Sequence, residues 1–345
     1  MCGLHKARAS GPFRTRDELT APGQPTSFRS RNSKRALTIM LLCSGYPTGA
    51  YDAGAPVADQ VVVETRDVSN FLRAREIART SDDPAGVYRN EYFARGTIGL
   101  DDMLRMRIGS VERFTAAVRQ YPDAHDVLAQ IPGYRATLVD KIRRIYARFR
   151  DLYPPVKLPP VYFVVSGMST GGTVSDNGLL IGTEAVIRAF GSIDALAPVV
   201  AHELVHYQQA NAEGRDQYAS VGGDAKTLLG QAVNEGAADF VGELVAGEHM
   251  NASAHAYGLA NEAELWREFE AVMLDDELVP WMNGQSSTGA WAERPRDLGY
   301  FIGYRIVESF YTNATDKRAA IATILDVSDP QAFLEASGYA QTVHR

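Results

Sequence analysis

The period of hydrophobic and polar positions changes about halfway along the chain. From Val61 to about Tyr153 apolar residues recur at helical spacing, most clearly over 67–80, 102–121 and 134–152. Pro154-Pro155 and Pro159-Pro160 break that pattern, and Pro160-Val161-Tyr162-Phe163-Val164-Val165 reads as a strand by its β-branched and aromatic content. Thr173-Val174-Ser175, Asp176-Asn177-Gly178 and Leu179-Leu180-Ile181-Gly182 follow as strand, turn and strand. Helical spacing then returns. A helix starts close to Asp194, where Ser192 or Asp194 can cap it, because Pro198 is tolerated only in a first turn; Gly214 is its next strong stop. Residues 226–245 read as a second helix. The expectation is an α+β chain, mostly helical with a small sheet, divided into a leader at 1–50, a helical region at 51–155 and a mixed domain at 156–345.

The first of these later helices carries His202-Glu203-Leu204-Val205-His206. On a helix the two histidines share one face, where both imidazoles can bind one zinc ion beside Glu203. Leu204, Val205 and Val199 surround the polar trio, so it interrupts an apolar segment instead of extending a solvated one. A catalytic zinc site needs a third protein ligand. The histidine-rich continuation of the metzincins is excluded, since Ala212 occupies the position of its third histidine and Gln209 that of its glycine.

On the second helix, Asn234-Glu235-Gly236-Ala237-Ala238-Asp239-Phe240 places Glu235 and Asp239 four apart on one face. One can ligate zinc while the other braces a ligand histidine from outside the coordination sphere. Glu235 is assigned to the metal and Asp239 to the non-ligating ring nitrogen of His202. Glu243 continues the same stripe.

HELVH followed by NEGAAD resembles the gluzincin arrangement of zinc metallopeptidases, in which a glutamate from a second helix is the third ligand. Downstream come Arg294-Pro295-Arg296-Asp297-Leu298-Gly299-Tyr300-Phe301-Ile302-Gly303-Tyr304-Arg305-Ile306, a helix starting at Asp316, and the closing Ala332-Phe333-Leu334-Glu335-Ala336-Ser337-Gly338-Tyr339. This succession is similar to a bacterial family of predicted zinc-dependent proteases, related to the gliding-motility lipoprotein B group, over roughly residues 155–340. The resemblance implies a zincin-like fold and one Zn2+ per chain, held by His202, His206 and Glu235.

Zinc peptidase chemistry assigns Glu203 the role of general base. The oxyanion needs a donor besides the metal, and Tyr300 and Tyr304, at helical spacing beside Gly299 and Gly303, are the candidates. Val307 and Tyr311 extend the same stripe, so an ordinary buried face is the competing reading. His249 and His255 read as exposed loop histidines. An edge of the sheet can pair with an extended peptide, which makes a peptide or protein the expected substrate.

Charge and cysteine usage narrow the setting. Residues 1–35 hold eight Lys/Arg against two Asp/Glu, a net of +6, so 36–345 carry −13 within a total of −7. That acidic remainder has no sustained basic stripe and excludes a nucleic-acid partner. The basic run precedes Ala36-Leu37-Thr38-Ile39-Met40-Leu41-Leu42-Cys43, which resembles an export signal with a cleavage point after Ala50. Lipid anchoring at Cys43 is the alternative, although Leu42 stands where a small residue is expected. The apolar run is too short for a permanent transmembrane helix. Both cysteines, Cys2 and Cys43, lie in this leader, leaving no sulfur ligand or cysteine nucleophile downstream. The leading expectation is an exported zinc metallopeptidase. The alternatives are a non-enzymatic envelope protein with a structural zinc and a zinc amidase acting on cell-wall peptides.

Overall fold

The run Val161-Tyr162-Phe163-Val164 forms β2, the strand that joins the two parts of the chain. The computed structural model describes residues 61–212, 226–282 and 289–343. The expected leader, Cys43 included, and the stop at Gly214 lie outside these residues. β1 (Val63–Glu64) and β2 (Val161–Val164) pair in parallel, β4 (Gly178–Gly182) continues in parallel on β2, and β3 (Gly172–Ser175) closes the sheet antiparallel to β4. The strand order is β1-β2-β4-β3. Ser175 pairs with Gly178, so Asp176-Asn177 is a two-residue hairpin turn. Gly178 has φ of 138°, and a side chain there would strike the Pro160 carbonyl.

Register and alternation sort the sheet into two faces. Tyr162, Leu180 and Thr173 align on one face, and Phe163, Ile181 and Gly172 on the other. The short helix Ile98–Met103 packs on the first, its Gly99 against the Tyr162 ring. The second face receives the helix carrying the HELVH sequence.

That motif helix, Leu196–Ala212, begins where Pro198 requires, after a 3-10 turn at Ile193–Ala195 whose Ser192 side chain accepts from Asp194 N–H. Leu196, Val200, Ala201, Leu204 and Val205 are fully buried, so the helix is a core element. Gln208 ties it to the chain before β2 by accepting from Lys157 N–H and donating to Lys157 O, both at 2.8 Å. The second site helix, Leu228–Ala246, starts at a Thr227 cap and is apolar on most sides. It is sandwiched between the motif helix, which it meets at Gly242 against the His202 backbone, and the tyrosine helix, Leu298–Asn313, which it meets at Gly236 against Gly303. The chain is therefore α+β and mostly helical with one small sheet.

In the N-terminal half, the helices at Arg66–Ala78 and Ile131–Leu152 follow the expected periodicity. The single helix expected over 102–121 is broken instead. A π-helical turn at Leu104–Ile108 ends at Gly109 with φ of 83°, and Ser110 caps a new helix, Val111–Gln120, by accepting from Arg113 N–H. A left-handed glycine followed by a serine cap outweighs the continuous apolar period. This half joins the sheet through β1 and through Tyr92, whose buried hydroxyl donates to Val165 O and accepts from Val165 N–H, both at 2.8 Å.

Candidate metal centre

His202 and His206 stand one turn apart on the motif helix and face Glu235 of the second site helix. Their Nε2 atoms are 3.0 Å apart, and Glu235 Oε2 lies 3.3 Å from His202 Nε2 and 3.1 Å from His206 Nε2. Ligands at about 2.0–2.1 Å from a tetrahedral zinc are separated by about 3.3 Å, so these spacings fit three corners of one zinc tetrahedron.

The hydrogen bonds behind the rings decide which nitrogens face the centre. His202 Nδ1 donates to Asp239 Oδ1 at 2.8 Å. His206 Nδ1 is 2.7 Å from Gln209 Oε1, and the Gln209 amide is oriented by donating from Nε2 to Asn234 O. With both Nδ1 atoms engaged by acceptors, the Nε2 atoms are the ones that face Glu235. Two Nε2 atoms and a carboxylate oxygen gathered this closely favour positive charge among them.

Ionisation tells the same story. Burial disfavours charge on both imidazoles, yet Asp239 and Glu235 outweigh it for His202 and hold it well above the usual histidine range. His206 is raised as well, burial being overcome mainly by Glu235. Burial pushes the Glu235 carboxyl up, but His206 and His202 win and hold it far below the ordinary carboxylate range. The donor set calls for positive charge at its centre and suits zinc.

Glu203 points between the motif helix and β3. Its carboxylate occupies the space that a side chain at Gly172 would fill, so only glycine at that position of β3 leaves it room. Burial raises its pKa, while His206, His202 and, from the N-terminal half, Arg107 pull it down.

The two tyrosines expected beside the metal part company. The Tyr300 ring stacks on His202 at a centroid distance of 6.2 Å, which brings its hydroxyl under the influence of the Glu235 carboxylate. Burial first, then the Glu235 charge, push this phenol far above its usual pKa, so it stays a proton-bearing donor. Tyr304 does not join the group: one turn on, its hydroxyl donates to Glu243 Oε2 at 2.8 Å. His249 and His255 are not exposed loop residues either. Both are half-buried against Tyr304, and His255 belongs to the helix Ala252–Ala260. Tyr304 is therefore a packing residue of a neighbouring aromatic cluster.

Three residues at or beside the site escaped the sequence reading. Gln209 lies at i+3 from His206 on the same helix, a spacing that makes a brace legible in retrospect. Gly172 and Arg107 have no such signal, because only the sheet brings them to Glu203.

Residues 110–341, about two thirds of the chain, match the family model described as gliding motility protein GldB. The chain belongs to the GldB family. The matched stretch contains every residue of the His202, His206 and Glu235 centre, together with Glu203, Asp239 and Tyr300, whereas β1 and Arg107 precede it. No curated protein and no solved structure matches this GldB-family chain.

Proposed function

We propose that this GldB-family chain is a zinc-dependent metallopeptidase of zincin-like fold, with His202, His206 and Glu235 holding one zinc and Glu203 acting as general base. The observation that carries the reading is the convergence of two histidine Nε2 atoms and one carboxylate oxygen at 3.0–3.3 Å, with a buried glutamate one residue after the first histidine. The core helix seated on β3 and β4, with an antiparallel terminal strand beside Glu203, supports the zincin-like assignment. Zinc bound there supplies Lewis acidity, polarising a carbonyl and acidifying water near neutral pH.

The remaining roles belong to the side chains. Glu203, held against Gly172, accepts the proton of the attacking water and returns it to the departing amine. Asp239 and Gln209 fix the tautomers and ring orientations of His202 and His206. Tyr300 keeps its proton and offers it as a hydrogen bond at the centre. The oxyanion of the tetrahedral intermediate is the group that bond serves.

The test is digestion of a diverse peptide library by the zinc-loaded full chain beside Glu203→Gln. The reading predicts one zinc in each protein and cleavage by the parent alone. Tyr300→Phe lowers kcat by about 10²-fold without loss of metal. If parent and Glu203→Gln both hold zinc and neither cuts, peptidase activity is refuted.

A second reading rests on the family description. A gliding motility protein with a basic, apolar leader fits an exported, envelope-associated protein in which zinc is structural. That reading predicts that Glu203→Gln leaves the cellular phenotype unchanged, whereas release of an amine from cell-wall peptides by the parent would favour an amidase.

A further inference from the structure

The motif helix and the second site helix supply carboxylates and imidazoles to the centre, and the charge of an arginine from elsewhere acts on Glu203. The π-helical turn Leu104–Ile108 brings two arginines to the sheet, and they meet different fates. Arg105 is paired with Asp102, whose other oxygen accepts from Asn177 of the β3–β4 turn at 2.8 Å. Arg107 has no carboxylate partner among the described residues. Its Nε and Nη2 both donate to Thr173 Oγ1, at 3.2 and 2.7 Å, which pins the guanidinium to β3.

Thr173 is the residue next to Gly172, the glycine against which Glu203 rests. Side chains alternate along a strand, so Thr173 and Gly172 face opposite ways: Arg107 and Glu203 lie on the two faces of β3, near enough for the Arg107 charge to act on Glu203. β3 is the terminal strand of the order, so a single strand separates the guanidinium from Glu203, and an extended chain lying along its free edge can meet both. A guanidinium has five N–H donors. Two are spent on Thr173, and the others, both on Nη1 and one on Nη2, have no protein acceptor among the described residues. The side chain is exposed.

Charge makes this arrangement specific. Glu203, Glu235 and Asp239 set three carboxylates around the centre, one more negative charge than a divalent zinc balances, so an anionic substrate is favoured by a further cation beside it. An arginine fixed through one edge of its fork presents the other edge ready for a carboxylate, with little rotamer freedom left to lose.

We propose that Arg107 is the specificity-determining anchor for a substrate carboxylate, and that the peptides taken at this centre carry a free C-terminus or an acidic side chain near the scissile amide. The proposal rests on the peptidase reading and names its substrate class. It gives the N-terminal half a part in selecting substrate, through a residue outside the stretch matched by the family model.

The experiment measures binding, so turnover is not required. Fluorescein-labelled peptides are prepared as pairs differing only in free acid against C-terminal amide, or in Glu against Gln at one position. Each pair is titrated by anisotropy into zinc-loaded full-length Glu203→Gln and into the same protein carrying Arg107→Gln or Arg107→Lys, with zinc content measured alongside. The anionic member binds Glu203→Gln about tenfold or more tightly than its neutral partner, the magnitude of a hydrogen bond to a charged group. Arg107→Gln removes that difference and leaves neutral peptides and zinc content unchanged, and Arg107→Lys restores part of it.

Loss of preference on amidation assigns the anchor to the terminal carboxylate; loss on Glu-to-Gln exchange assigns it to a side chain. Peptide binding without charge preference, or a preference that survives Arg107→Gln, overturns the anchor and spares the peptidase. If no peptide binds although the trio holds zinc, both fall together. A change in neutral-peptide affinity equal to that for acids shows a merely structural role for Arg107 and also overturns the proposal.

Discussion

Gly303→Ala is the substitution in which local and tertiary physics oppose each other most clearly. Position 303 is inside the tyrosine helix, and alanine is about 1 kcal/mol better than glycine in a helix interior. The position a Cβ would take, however, is 1.7 Å from the Ala232 carbonyl oxygen and 3.2 Å from Gly236 Cα. Carbon and oxygen approach no closer than about 3.3 Å without cost, so the two helices must separate by roughly 1.5 Å. Both obstacles are backbone and have no rotamer to escape through. Overpacking of this kind costs about 3 kcal/mol at the upper end of its usual range, which leaves a net loss of about 2 kcal/mol after the propensity gain.

The same displacement moves Glu235, the neighbour of Gly236, relative to the histidines, and is expected to weaken zinc binding about tenfold. Urea denaturation followed by circular dichroism reads the first effect and chelator competition the second. Gly133→Ala is the control: Gly133 lies in the Ile131–Leu152 helix with nothing within 4 Å of its missing Cβ, and alanine there should stabilise. A Gly303→Ala protein as stable as its parent, with unchanged zinc affinity, would falsify the close helix contact and the argument built on it.

Asp239→Ala removes the acceptor of the His202 Nδ1 proton and should weaken zinc binding about 10- to 100-fold while leaving the ligand set intact; equal affinity in a chelator titration would show that the brace is idle. His125 offers a pH signature far from the metal. Its ring is fully buried against Phe71, Nδ1 donates to Tyr121 O at 2.7 Å, Nε2 has no partner among the described residues, and burial holds its pKa down to about 4. A depressed histidine contributes stability that is complete above its unfolded pKa of about 6.5 and is lost as pH falls toward 4, here about 3 kcal/mol. His125→Gln should flatten the decline in stability between these pH values, and parallel curves for the two proteins would sink the assignment.

What the sequence determined by itself is local. Pro198 allowed the motif helix only one starting region, the four-residue spacing of His202 and His206 put both rings on one face, and the Asp176-Asn177-Gly178 turn fixed the β3–β4 register. The pairing of Asp239 with His202 was legible because it depends only on helix periodicity and on the rule that a ligand histidine needs a brace. Periodicity failed at Gly109-Ser110, where a left-handed residue and a cap interrupt an otherwise continuous apolar pattern.

Tertiary structure alone decided the rest. Tyr300 and Tyr304 share a helix face by sequence, yet the packing of the Ala252–Ala260 helix and Glu243 draws Tyr304 into an aromatic cluster and leaves only Tyr300 on His202 and Glu235. Gly303 owes its place to the Ala232 carbonyl of another helix, and Gly172 to the Glu203 carboxylate. Arg107 meets Thr173 across 66 positions of chain. Such contacts depend on how the sheet and the helices are stacked, and no periodicity along the chain encodes that distance.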